Sequence, residues 1–185
     1  MSWGARCDSL EYCGDMAVTV RPIRPNEGRT FLDIHTRSIR GLAAAYYTPE
    51  VIEAWTVPIT EDHLRRFLEN RDHEIRLIAE LDGEAVGLGV LVLARSELRA
   101  CYVVPEAARK GVGTALVREI ERIAKENGLE RLELHASLNA EPFYGSLEYH
   151  PDCRIEHVLR TGHPMAAVRM AKMLSWPQRS DRPRR

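Results

Sequence analysis

One segment restricts the fold more than any other: VVPEAARKGVGTALVREIERIAKENG, residues 103–128. It opens as an apolar strand, breaks at Pro105, passes through a basic turn punctuated by Gly111 and Gly113, and continues as an amphipathic helix. Leu116, Ile120, Ile123 and Ala124 recur at helical spacing and form one apolar stripe. Gly128 stands where a C′ residue closes the helix, and Leu129 to Ala136 then reads as a strand. Strand, crossover helix and strand make a βαβ unit, whose two strands are expected to be parallel neighbours with a right-handed connection.

The rest of the pattern surrounds that unit. Val18 to Ile23 alternates as a strand. Asn26 is placed to cap a helix running to about Arg40, Thr48-Pro49 opens a short helix through Trp55, and Thr60 starts another with Leu64, Phe67 and Leu68 on one face. Glu74 to Leu81, the hairpin turn Asp82-Gly83 and a long return strand Glu84 to Arg95 follow. Leu98 to Val104 is the strand that enters the βαβ unit. A short helix from Asn139 to about Leu147 and two closing strands, Arg154 to Arg160 and Pro164 to Leu174, complete the reading. The expected architecture is mixed α/β: one domain over residues 16–174, with a mostly antiparallel central sheet of six or seven strands flanked by helices and one parallel pair.

Residues 1–15 are polar and aperiodic and are read as a disordered extension, or as the product of a start codon placed ahead of Met16. Residues 175–185 are rich in Pro and Arg and are read as a disordered basic tail. Length, 185 residues, suits one domain with one core. A net charge of −1 gives no global basic field, so neither nucleic acid nor a membrane surface is an expected partner. The four cysteines, Cys7, Cys13, Cys101 and Cys153, show no paired spacing, which fits a reduced cytoplasmic compartment.

The turn at 109–114 has a chemical reading. A helix N-terminus presents backbone N–H groups that have no partner inside the helix, together with about half a positive charge. Glycine admits a ligand close to the backbone and adopts left-handed φ freely. Arg109-Lys110-Gly111-Val112-Gly113-Thr114 therefore reads as a phosphate cradle with cations at its rim. The string is neither GxxxxGK[ST] nor GxGxxG, since Leu116 stands where the third glycine would be. The competing reading is that the two glycines only permit close helix–strand packing.

LRACYVVPEAARKGVGTALV and SLNAEPFY together resemble the GNAT superfamily of N-acyltransferases, in particular a small bacterial subgroup. The first resembles the family's strand, V-x-P, G-x-G and helix. The second resembles its N-x-x-A-x-x-F-Y element, with Ser137, Ala140, Phe143 and Tyr144 at the matching positions. The chain departs from the pattern in three places. Ala108 replaces Gln or Arg, with Arg109 beside it; Ser137 replaces Asn, with Asn139 two residues on; and Glu148 stands where Gly is usual.

The resemblance implies acetyl-CoA as co-substrate, lying between two splayed strands. Its pantetheine arm would pair with backbone near Tyr102, Val103 and Val104 and with Ser137 or Asn139. Its diphosphate would rest on the amides of Arg109 to Thr114. The implied reaction is direct attack of a primary amine, on a small molecule or a protein, upon the thioester. Tyr144 would be the general acid and the N–H of Val103 or Val104 the oxyanion donor. A homodimer is compatible with the family but demanded by no sequence feature. A non-catalytic CoA-binding regulatory or sensor module is the alternative, and packing beside Phe143 is the competing role for Tyr144.

For a general base the sequence offers Glu97, Glu80 and His135. Tyr46, Tyr47 and Trp55 are candidates for an aromatic acceptor pocket, and Glu50 and Glu53 for attracting a cationic amine. His150, Cys153, His157 and His163 carry zinc-type ligands, but without knuckle spacing they are not expected to hold a metal.

Overall fold

The computed structural model describes residues 17–174. The terminal segments read above as disordered lie outside the described residues. Seven strands form one sheet in the order β1-β2-β3-β4-β5-β7-β6: β1 (Val18–Pro22), β2 (Ile75–Leu81), β3 (Glu84–Val92), β4 (Glu97–Val103), β5 (Arg131–Ser137), β6 (His150–Val158) and β7 (Pro164–Met173). Every neighbouring pair is antiparallel except β4 and β5. The helices are α1 (Gly28–Ser38), α2 (Pro49–Trp55), α3 (Glu61–Glu69), α4 (Val112–Glu126) and α5 (Glu141–Ser146). Among the described residues no helix is long and apolar enough to cross a membrane.

The apolar stripe of α4 lies on the middle of the sheet. Leu116, Ile120 and Ala124 are wholly buried, and a Cβ added at Gly87 or Gly89 of β3 would meet Val112, Leu116 or Ile120 at about van der Waals distance or closer. On the opposite face α1 brings Ile34 into the same core. At the β2–β3 hairpin Asp82 and Gly83 both take positive φ, 53° and 85°, as a two-residue turn of the primed kind requires.

Four expectations from the sequence change. Asn26 lies inside a short 3-10 turn, Pro25–Glu27, rather than capping α1. α1 ends at Ser38 and is followed by a π-helical turn, Ile39–Ala43. The return strand stops at Val92, and Leu93–Arg95 makes a 3-10 turn. β6 begins four residues earlier than the alternation suggested, because its first residues are exposed on both faces at the edge of the sheet and show no apolar alternation. Glu148 adopts φ 68°, so the turn that glycine usually makes is kept. Left-handed backbone costs a residue bearing Cβ about 1–2 kcal/mol.

Candidate active site

The site begins with a break in the sheet. The β3–β4 register shifts between Val90 and Leu91, which leaves Arg99 as an extra residue between Leu98 and Ala100. Such a bulge bends its strand. β4 and β5 share a single register pair, Glu97↔Glu133, with the Glu133 N–H donating to the Ser96 carbonyl at 2.9 Å. Beyond that point the two strands share no further pairing, while β5 is fully paired to β7 on its other side. A gap therefore opens between β4 and β5 toward their C-terminal ends.

Which backbone groups line the gap follows from pairing. Val104 N–H donates to Val86 O at 2.9 Å, and its hydrogen-bonded pair fixes the alternation along β4. Tyr102 and Val104 turn their N–H and C=O toward β3; Cys101 and Val103 turn theirs toward β5. This corrects the expected role of Val104 as an oxyanion donor and that of the Tyr102 backbone as a pantetheine partner, since both are committed to β3. It brings in Cys101, which the sequence showed only as a small apolar residue.

At the mouth of the gap the chain leaves β4 through Pro105 and reaches the N-terminus of α4. Arg109 at φ 66° and Gly111 at φ 81° bracket Lys110 in left-handed conformations. The first α4 bond is Ala115 N–H to Gly111 O, 2.9 Å. The amides of Val112, Gly113 and Thr114 precede that bond and have no partner inside the helix. The two glycines have separate reasons. Gly111 meets nothing within 4 Å of an added Cβ, and its φ alone favours glycine. A Cβ at Gly113 would stand 3.1 Å from Phe143 Cζ and 3.7 Å from Val103 Cγ2, so Gly113 lets α5 close against α4 and β4.

That contact positions the neighbouring Tyr144. Its ring packs between Phe143 (centroids 5.1 Å) and Tyr149 (5.7 Å) and is buried. Burial raises the phenol well above its ordinary value, with Cys101 and Tyr102 adding in the same direction. It is therefore protonated throughout the neutral range and able to donate. Burial likewise pushes the Cys101 thiol up to about 12, and its Sγ lies 3.9 Å from Gly113 O. Ser137 ends β5 and accepts a hydrogen bond from Ala140 N–H at 2.8 Å through its carbonyl. Asn139 Oδ1 is buried without a protein partner. An orphaned buried acceptor is costly, about 1–3 kcal/mol, unless an N–H reaches it.

On the opposite face of the sheet an aromatic cluster forms. Trp55 Nε1 donates to Tyr102 Oη at 3.2 Å, and Tyr47 packs edge-on against Trp55 with centroids 5.6 Å apart. Tyr47 Oη donates to Ala166 O and accepts from Leu138 N–H, both at 2.8 Å, tying the segment before α2 to β7 and to the end of β5. His35, which the sequence reading passed over, stacks edge-on against Tyr102 at 4.7 Å. Tyr46 is exposed and takes no part. Glu50 is exposed and Glu53 pairs with Arg40 at the surface, so neither joins the cluster.

Of the three candidate bases, Glu80 is held by Arg21 of β1 at 2.6 and 2.8 Å, two strands away from β4. Glu97 stands at the vertex of the gap and pairs with Arg99. His135 Nδ1 lies 3.2 Å from His157 Nδ1. The zinc-type residues are spread along exposed β6 and the loop after it. Among the described residues no three His, Cys, Asp or Glu side chains are grouped to hold a metal.

Burial lowers His35 to about 4 from an ordinary 6.5. The folded chain then binds this proton less readily than the unfolded chain, so stability falls as pH drops through the window from about 6.5 to 4. Burial and the neighbouring His135 depress His157 in the same sense. Glu27, held at about 2 by Arg21, loses its contribution only at lower pH. Urea unfolding is expected to show about 2 kcal/mol less stability at pH 5 than at pH 7. His35→Leu should remove most of that difference. An unchanged difference would assign the effect to other groups.

A helix N-terminus thus stands at the mouth of a splayed strand pair, with a buried, protonated tyrosine beside it. The chain belongs to the Acetyltransferase (GNAT) family, whose sequence profile matches residues 37–149. An uncharacterized N-acetyltransferase of Methanocaldococcus jannaschii is 22% identical over 141 residues, 71% of this chain. The chain spans 58% of the length of that relative. A GCN5-related N-acetyltransferase from Rhodopseudomonas palustris superimposes with a TM-score of 0.78 at 29% identity, over 86% of this chain and 98% of that one. The PaiA N-acetyltransferase from Thermoplasma acidophilum, solved in complex with coenzyme A, shares the fold. Its TM-score is 0.63 at 21% identity, over 85% of this chain and 99% of that one.

Proposed function

We propose that this protein transfers an acetyl group from acetyl-CoA to a primary amine of a small molecule or a protein. The observation that carries the reading is the gap between β4 and β5. It is lined by free amides of Cys101 and Val103, closed at one end by the α4 N-terminus and underlain by Tyr144.

The residues fit the co-substrate part by part. The amides of Val112, Gly113 and Thr114 form the diphosphate cradle with Gly111, and Arg109 and Lys110 supply charge at its rim. Val103, Ser137 and Asn139 face the pantetheine arm, and Asn139 Oδ1 is an acceptor for one of its amide N–H groups. Attack by the amine places negative charge on the carbonyl oxygen. The N–H groups of Cys101 and Val103 are the donors available for it, and such donors contribute most where water is excluded. Collapse expels a thiolate, Tyr144 donates the proton it needs, and the proton that the attacking nitrogen loses passes through solvent water and restores the phenol. The aromatic cluster of Tyr47, Trp55 and Tyr102 forms the acceptor wall.

Calorimetric titration with acetyl-CoA, with CoA and adenosine as controls, tests the reading. Micromolar binding of both CoA forms is expected, with adenosine much weaker. Absence of binding to either CoA form would refute it. Binding without CoA release in the presence of any of a panel of primary amines would favour a sensor role instead.

A further inference from the structure

The segment that follows α1 meets the turn leading into α4 at a single glycine. After Ser38 the chain continues through the π-helical turn Ile39–Ala43. π turns are rare and recur at functional sites. On the other segment, Pro105 opens a 3-10 turn, Pro105–Ala107, between β4 and the cradle at Arg109 to Thr114. A Cβ built on Gly41 would stand 2.1 Å from Pro105 Cγ and 3.2 Å from Pro105 Cβ. Non-bonded carbons settle at about 3.5–4.0 Å, so any larger residue at 41 must displace one of the two segments. Nothing else asks for glycine there. Gly41 does not take positive φ, and inside a helical turn glycine is less favourable than alanine. Arg37 of α1 joins the same two segments, donating from Nη2 to Glu106 Oε2 at 3.1 Å.

Which segment yields follows from how each is held. The π turn is anchored at both ends by the buried Ile39 and Ala43, and it leads into Tyr47, whose hydroxyl makes two hydrogen bonds of 2.8 Å. Behind Pro105, Val104 is fixed to β3 through its bond to Val86 O. The proline ring is closed on its own backbone nitrogen, so Cγ cannot swing aside as the end of a flexible side chain would. The turn is itself closed by Ala107 N–H to Val104 O and Ala108 N–H to Pro105 O, at 3.0 and 3.2 Å, and moves as a unit. A displacement of Pro105 therefore runs forward along the chain. Ahead of it lie Arg109 and Gly111, both left-handed, and then the amides of Val112, Gly113 and Thr114.

We infer that Gly41 is a positioning residue for the diphosphate cradle and acts through Pro105. The inference rests on the acetyl-CoA reading of that cradle. A bare Cα at 41 lets the two segments close, and their closure sets where the amides of Val112, Gly113 and Thr114 converge. The same segment carries Tyr47 into the aromatic cluster. One contact thus holds the acceptor wall and the cofactor turn in a fixed relation.

Calorimetry of the full chain with acetyl-CoA tests it, beginning with the parent. Gly41→Ala should weaken binding at least about tenfold. Arg40→Ala, in the same turn but paired with Glu53 at the surface, should stay within about twofold of the parent. Pro105→Ala removes Cγ and leaves only the 3.2 Å contact to Cβ. In that background Gly41→Ala should therefore weaken binding less than about threefold, a rescue that a merely structural role would not give. Amide hydrogen exchange reads the same displacement without ligand. Residues 109–114 should exchange faster in G41A than in the parent, and no faster in G41A/P105A than in P105A. Far-UV circular dichroism confirms that the variants fold. Undiminished affinity in G41A, unchanged exchange at 109–114, or an equal loss with and without the proline ring would each overturn the inference. No binding by the parent would overturn the acetyl-CoA reading along with it.

Discussion

Replacing Tyr144 by Phe is expected to lower CoA release by about 10²–10³-fold while leaving acetyl-CoA affinity within a small factor of the parent. The substitution removes one oxygen and keeps the ring, so the contacts with Phe143 and Tyr149 persist. In the proposed reaction, what disappears is the proton that a thiolate needs as it leaves. The buried phenol holds that proton to well above its ordinary range, so the parent protein should show no loss of the proposed activity from Tyr144 ionisation up to about pH 10. The measurements are single-turnover thiol release with an amine found by screening, and calorimetry of both forms with acetyl-CoA. Folding stability should change little, because no protein acceptor is lost with the hydroxyl. If turnover survives intact, the leaving group takes its proton from elsewhere and Tyr144 is a packing residue. If neither form turns over yet both bind, the chain is a sensor.

Much of this arrangement was legible in the sequence, for physical reasons. The strand–helix–strand unit around α4 showed in two periodicities and a closing glycine, and it forced a parallel pair in an otherwise antiparallel sheet. The turn at Gly111 and the position of Tyr144 showed in motif spacing. What was not legible depends on pairing rather than on side chains. Alternation tells which face a side chain takes, but not toward which neighbouring strand a residue turns its N–H. Only the β3–β4 register does that. It moved the candidate oxyanion donors from Val103 or Val104 to Cys101 and Val103. The bulge at Arg99 was equally hidden, because an extra residue leaves the local composition unchanged. Trp55 and Tyr102 meet across 47 residues and Tyr47 reaches Ala166 across 119, so the sequence showed aromatic residues without showing which would meet. Tyr46 and Glu53 carried the same local signals as their neighbours and ended at the surface. Their fate is set by the turn of the chain after the π-helical segment.

Gly111→Val is expected to weaken acetyl-CoA binding by at least about tenfold, and the reason lies in the backbone. An added Cβ meets nothing within 4 Å, so no steric clash inside the protein opposes the change. The φ of 81° does oppose it, at a cost of about 1–2 kcal/mol for a residue with Cβ and more for a β-branched one. The chain can relieve that strain only by rotating the turn, which re-aims the amides of Val112, Gly113 and Thr114 away from a common point. Asn tolerates left-handed φ far better than Val. Gly111→Asn should therefore keep most of the affinity, with a loss of about threefold. Calorimetry with acetyl-CoA measures both variants. Adenosine, which lacks the diphosphate, should respond far less, and this separates loss of the cradle from general unfolding. A thermal melt should show Gly111→Val destabilised and Gly111→Asn close to the parent. Equal, undiminished affinity in both variants would mean that the turn at 109–114 serves only to bring α4 against the sheet. The diphosphate would then have to be held by other groups.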